Sequence, residues 1–163
     1  MINRLVILVT AILVLTVINF KIYEKEQLLV EGTPILLELA PVDPRSLMQG
    51  DYMILRYKLA RSPELQNVEN DGYLIITPDK NQVAQLLGIY EAGMRLSTEE
   101  LRLRYRKRGH EIQLGAESFF FQEGHAQYYD KARYGELRVT SSGESVLVGL
   151  RDAAFKPLIP PAK

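Results

Sequence analysis

The stretch Gly50, Asp51, Tyr52, Met53, Ile54, Leu55, Arg56, Tyr57, Lys58, Leu59 decides how the chain is read. Met53, Leu55, Tyr57 and Leu59 alternate with Ile54, Arg56 and Lys58, the period-two pattern of a half-buried strand. Successive side chains of a strand point to opposite faces, so Tyr52 lies on the face opposite Leu55 and Tyr57. Upstream, Thr33–Leu39 carries β-compatible apolar residues and stops at Pro41, Val42, Asp43, Pro44. Each proline there fixes its own φ and turns the preceding residue away from helix, which makes the quartet a turn.

Downstream the same signals recur. Tyr73–Thr77 reads as a strand, and Pro78, Asp79, Lys80, Asn81 turn it into a second arm, Gln82–Tyr90. Ser97 and Glu100 have capping-box spacing, but Leu101, Leu103 and Tyr105 alternate with Arg102, Arg104 and Arg106, so the expectation is a strand ending near Gly109. Phe119–Phe121 reads as a buried strand, and His125–Tyr134 as a short helix terminated by Gly135. Glu136–Thr140 and Ser145–Leu150 flank Ser141, Ser142, Gly143, Glu144, a hairpin signal. The fold class is therefore mainly β: a small barrel or coiled antiparallel sheet with at most one or two short helices.

Leu5–Phe20 supplies sixteen consecutive uncharged residues, twelve of them Leu, Ile, Val or Phe. A helix of that length rises roughly 24 Å, and Arg4 and Lys21 can snorkel to the edges of a hydrocarbon core about 30 Å thick. No small-residue cleavage site follows in Asn19, Phe20, Lys21, Ile22, Tyr23, so the segment reads as an uncleaved signal anchor. Arg4 and the amino terminus face Lys21 and Lys25, so the positive-inside balance is nearly even. The expectation is a single-pass protein of a bacterial cytoplasmic membrane with its C-terminal domain extracytoplasmic. The organisation expected is anchor 1–23, polar stalk 24–32, β-domain 33–152 and a proline-containing tail 153–163.

The 163 residues, 47% hydrophobic and 25% charged, suit one folded domain beyond the anchor. Twenty basic residues balance twenty acidic ones, so no global field recruits nucleic acid. The absence of cysteine excludes disulfides, thiolate metal sites and a cysteine nucleophile. His110 and His125 fall in different loops with no carboxylate at ligand spacing, so neither a metal nor another cofactor is expected.

Gly50, Asp51, Tyr52, Leu55 and Tyr57, together with Asp43, Pro44, Arg45, Ser46, Leu47 before them and Phe121, Glu123 and Gly124 after, resemble the bacterial GDYxxLxY family. That resemblance implies a membrane-anchored protein whose biochemical role is unknown. A weaker likeness in fold is to signal peptidases: Leu47, Gly50 and Asp51 match one element of that family, and Tyr129, Asp130, Arg133, Tyr134 and Gly135 loosely match another. The slots of that family's serine nucleophile and lysine base hold Val42 and Ala84 here, and neither can attack a carbonyl or accept a proton. A displaced dyad of Ser46 with Lys58 or Lys80 is the remaining serine–lysine arrangement.

Each candidate residue carries a structural alternative. Asp51 beside Gly50 is either a functional carboxylate or a turn cap that binds backbone N–H groups. Glu123 is either a carboxylate at a pocket mouth or one half of a buried ion pair. Arg102, Arg104 and Arg106, joined by Lys107 and Arg108, form either a binding face or a solvated edge strand. The leading expectation is a non-catalytic accessory domain that binds another envelope or membrane protein. The alternatives are an envelope hydrolase using Asp51 and Glu123, and a barrel holding an apolar ligand among Phe119, Phe120, Phe121 and Tyr57.

Overall fold

The computed structural model describes residues 2–40, 48–49 and 52–161. Helix α1 spans Ile2–Glu31 without interruption. Over Arg4–Glu31 it is long and apolar enough to cross a membrane. Two polar side chains of the apolar run bond within the helix: Thr16 Oγ1 donates to the Ile12 carbonyl and Asn19 Nδ2 to the Leu15 carbonyl, each at 2.8 Å. In hydrocarbon, where no water is on offer, an unsatisfied group would cost several kcal/mol. The segment read as a polar stalk continues as the last turns of this helix.

Ten strands follow. β1 (Thr33–Glu38), β9 (Tyr134–Val139) and β10 (Ser145–Arg151) form an antiparallel sheet in the order β1-β9-β10. β4 (Asp71–Pro78), β5 (Ala84–Ile89), β6 (Leu101–Arg108) and β7 (Glu111–Gln113) form a second, in the order β5-β4-β6-β7. The third holds β2 (Met48–Gln49), β3 (Tyr52–Ile54) and β8 (Ser118–Phe120) in the order β2-β3-β8. Leu36 pairs with Val83, its N–H reaching the Gln82 carbonyl at 2.8 Å, so β1 joins the start of β5. Leu39 pairs with Tyr57, and the Ala40 N–H reaches the Arg56 carbonyl at 2.7 Å, which joins β1 to the third sheet. The Arg104 N–H reaches the Gly143 carbonyl at 2.9 Å, so the far hairpin closes against β6. The sheets curl into a half-barrel around Ile35, Leu37, Leu74, Ile76, Leu103 and Leu137, all fully buried.

The hairpins have local causes. Asp79 Oδ1 accepts from the N–H groups of Asn81 and Val83 at 2.8 and 2.9 Å, fixing the β4–β5 turn. Ser97 N–H does bond to Glu100 Oε2 at 2.9 Å, yet no helix follows, because β6 pairs with β4 and buries Leu103 and Tyr105. Across the β9–β10 hairpin, Arg151 grips Glu136 with two hydrogen bonds at 2.8 and 2.9 Å.

Three expectations are corrected. The alternation of Met53 to Lys58 holds for burial, but the ladder ends at Ile54, and Leu59–Arg61 is a 3-10 turn. Phe119–Phe121 is not a buried strand: β8 lies at the outer side of its sheet, and Phe120 is 73% exposed. His125–Tyr134 is not a helix beyond the 3-10 turn Ala126–Tyr128. Tyr134 and Gly135 are drawn instead into β9, where they pair with Glu38 and Leu37. Too few residues remain to offset the cost of helix nucleation.

Tyr57 sits where the sheets meet. It is buried, and its hydroxyl donates to the Ala116 carbonyl at 2.6 Å. Its ring lies so close to β9 that a Cβ on Gly135 would stand 3.1 Å from the Tyr57 Oη and Cε1 atoms. Only glycine fits there without displacing a hydrogen-bonded core side chain. Tyr57→Phe is expected to cost roughly 1 kcal/mol by deleting that hydrogen bond, and Tyr57→Ala roughly 3–5 kcal/mol through the cavity it leaves. Thermal unfolding of the full chain in detergent micelles measures both.

Candidate functional site

The described part of the motif divides between core and surface. Leu55 and Tyr57 are 1% and 2% exposed, so both are core residues and neither offers a surface to a partner. Tyr52 is half-buried and packs on Phe120 with ring centroids 5.7 Å apart. Gly50 and Asp51 lie outside the described residues, as do Val42, Ser46 and the turn Pro41 to Pro44. Ala84 is a buried first residue of β5.

Directly beside the motif the structure opens a cleft of about 530 Å³. One wall is the chain from Ile54 to Gln66, and the other is β7 with Glu117. Leu55, Leu65 and Ile112 supply buried apolar lining, while Arg56 and Arg61 are exposed at the rim. Among the described residues neither arginine has an ion-pair partner. Glu117 is already committed: its Oε1 accepts from the Leu114 and Gly115 N–H groups. β7 is the outer strand of its sheet, with a neighbour on one side among the described residues. The Lys107 N–H is directed to the Asn70 carbonyl on the β4 side, so its cross-strand partner Ile112 turns its own N–H and C=O away from β6.

The arginines of β6 are arranged differently from either expectation. β6 lies between β4 and β7 and is no edge strand. Arg102 stacks over the rings of Tyr73 and Tyr90 at 5.7 and 5.2 Å and donates to the Ser141 carbonyl at 2.8 Å. Arg104 pairs with Glu144 at 2.7 Å, which holds its guanidinium above the ordinary range, and Arg106 faces Asp71 at 3.5 Å. Lys107 donates to the Gln66 and Val68 carbonyls. These side chains hold neighbouring segments, and the basic face expected from sequence is largely spent on the protein's own acceptors.

Glu123 and Gly124 lie on an exposed loop, and Glu123 is in no ion pair among the described residues. Phe119, Phe121 and Tyr129 form one aromatic cluster, with Phe119 4.9 Å and Phe121 5.4 Å from Tyr129 between centroids. Phe120 points outward, and Tyr57 fills the core elsewhere. Phe119, Phe120, Phe121 and Tyr57 therefore do not converge on one shared interior. No three His, Asp or Glu side chains converge as a metal site among the described residues.

The fold and this motif-bearing cleft define a β-domain on a long apolar N-terminal helix, of the class to which the motif gives its name. A family model described as GDYXXLXY protein matches residues 14–150, and the chain belongs to that family. No curated protein and no solved structure matches the chain, so the likeness to signal peptidases gains no structural counterpart.

The cleft escaped the sequence reading because its walls are far apart in the chain. The available signal was the outward set of the alternation at residues 54, 56 and 58, which placed Arg56 on the surface.

Burial, and for Tyr57 also the charge of Glu117, raises the hydroxyl of Tyr57 far above its ordinary value of 10.0. Burial likewise raises Tyr105 and Tyr129. Each group is neutral in both states below its unfolded value, so its contribution to stability is intact there. Above about pH 10 the unfolded chain releases protons that the folded chain retains, and stability falls. Urea midpoints measured from about pH 8 to 11 are expected to be level at first and to drop beyond pH 10. Tyr57→Phe is expected to make the drop shallower.

Proposed function

We propose that this chain is a membrane-anchored, non-catalytic accessory domain on the extracytoplasmic side of a bacterial membrane, and that the cleft beside the motif receives an extended segment of another envelope or membrane protein. The observation that carries the reading is the cleft itself. It combines accessible apolar lining from Ile54 and Ala60 with two exposed guanidinium groups and an outer strand. An added strand draws affinity from main-chain hydrogen bonds and specificity from pockets for its alternate side chains. Arg56 and Arg61 favour an acidic residue in that segment, since arginine binds carboxylates through paired donors. The helix long enough to cross a membrane supports the anchor.

The test is affinity purification of the full-length protein from cross-linked native membranes, with an Arg56→Glu, Arg61→Glu double variant alongside. Both residues are exposed, so the variant keeps the core that Tyr57→Ala would damage. The expected outcome is one stoichiometric partner whose recovery falls at least about tenfold in the variant, as for loss of a charge-assisted hydrogen bond. Equal recovery from the variant, or recovery of the protein alone, would overturn the cleft as the docking site.

A further inference from the structure

The helix meets the β-domain in a second concavity, of about 680 Å³. One wall is a stripe of α1 that includes Lys21, Lys25, Leu28 and Glu31, positions three or four residues apart that share a face. The other is the β9–β10 turn, which presents Thr140, Ser141 and Ser142. Leu28 is buried at the junction. The turn is held from behind by Arg102, which donates to the Ser141 carbonyl at 2.8 Å, and by the Arg104 N–H on Gly143.

The level of this concavity along the helix is what gives it meaning. A hydrocarbon core of about 30 Å takes about twenty residues at 1.5 Å each, so a span that starts at Arg4 leaves the core near Tyr23. Lys25 then stands in the headgroup layer. Glu31 stands about 9 Å further out, and both side chains lean toward the helix N-terminus and hence toward the bilayer.

Charge pairing singles out the same two residues. Lys21 bonds to Glu24 at 2.7 Å, and Glu144 bonds to Arg104 at 2.7 Å. Among the described residues Lys25 and Glu31 have no ion-pair partner. The cleft thus holds a cation near the bilayer, an anion beyond it, and the exposed Ser141 hydroxyl on the facing wall.

We infer that this cleft binds the headgroup of a zwitterionic aminophospholipid whose acyl chains lie along α1. The phosphate, which sits next to the glycerol, meets Lys25 and the Ser141 hydroxyl, while Ser142 donates to Thr140 Oγ1 at 2.7 Å and braces the turn, and the primary ammonium beyond it meets Glu31. A choline headgroup has no N–H to donate to Glu31, and a glycerol headgroup has no cation. The polarity of the site therefore selects the ethanolamine headgroup over both. This assignment rests on α1 crossing the bilayer.

The full-length protein is reconstituted in vesicles that contain equal amounts of phosphatidylethanolamine, phosphatidylcholine and phosphatidylglycerol with matched acyl chains. A trace of each lipid carries a photoactivatable group, and cross-linked lipid is counted by mass spectrometry of the intact protein. The expected result is ethanolamine lipid favoured about tenfold over choline lipid, with Glu31→Gln removing that preference and Lys25→Gln lowering the yield of all phospholipids. Cross-links should map to the peptides containing residues 21–31 or 140–144. Equal yields of the three lipids, or a Glu31→Gln variant that keeps the preference, would overturn the inference. Loss of the yield to soluble phosphoethanolamine at concentrations below that of the lipid would also overturn it, by assigning the cleft to a free metabolite. Alkaline carbonate extraction of native membranes separates the two levels of failure. Release of the protein into the supernatant removes the anchor itself, whereas a retained protein without lipid preference removes the headgroup site alone.

Discussion

The buried Tyr57 side chain, whose hydroxyl donates a hydrogen bond to the Ala116 carbonyl 59 residues away in the chain, ties together the segments on which the architecture depends. The Tyr57 backbone pairs with Leu39 at the end of β1, its ring rests on Gly135 of β9, and its hydroxyl fixes the approach to β8. Three segments with no local reason to meet are brought together by one aromatic side chain. A tyrosine suits the role because its ring supplies apolar bulk for the core, while its single polar atom needs only one partner to be buried without penalty. The cleft beside it follows from the same placement, since Leu55, two residues before Tyr57, is also seated in the core and leaves Arg56 outside.

Where the sequence could be read, the cause was local. The Asp79 turn and the Ser141–Glu144 turn carry their own chemistry, and both hairpins form where they were expected. The alternation at Leu101 to Arg106 outweighed the Ser97–Glu100 cap because the apolar face had somewhere to be buried. The errors have the opposite origin. Whether Phe120 is inside or outside depends on what lies beyond β8, and whether His125–Tyr134 is helical depends on β1 capturing Tyr134 and Gly135. Neither partner can be recognised from the segment itself. The arginines of β6 were seen as charges but not as partners of Glu144, Asp71, Tyr73 and Tyr90, because those contacts cross from other strands and turns.

The neutral balance of charge has a structural counterpart. Basic side chains that look like a recruiting surface in the sequence are used as struts, each tying a strand to a turn or a loop carbonyl. Arg56 and Arg61 stand at one cleft, and Lys25 with Glu31 at another, without an ion-pair partner among the described residues.

The junction between α1 and β1 contains no linker. The helix ends at Glu31, Gly32 N–H bonds to the Leu28 carbonyl at 3.0 Å, and Arg138 Nη1 reaches the Gly32 carbonyl at 3.2 Å before β1 begins at Thr33. A Cβ on Gly32 would stand 2.5 Å from the Leu28 oxygen and 2.9 Å from the Arg138 Cβ, so the joint is as tight as the chain allows. The domain is therefore geared to the shaft that carries it. Each residue added to or removed from the helix would turn the whole β-domain by about 100° about the helix axis and shift it by about 1.5 Å along that axis. The direction in which the cleft faces about the helix axis is thus set by the number of residues in the helix, in the way a compass bearing is set by the angle of a mast.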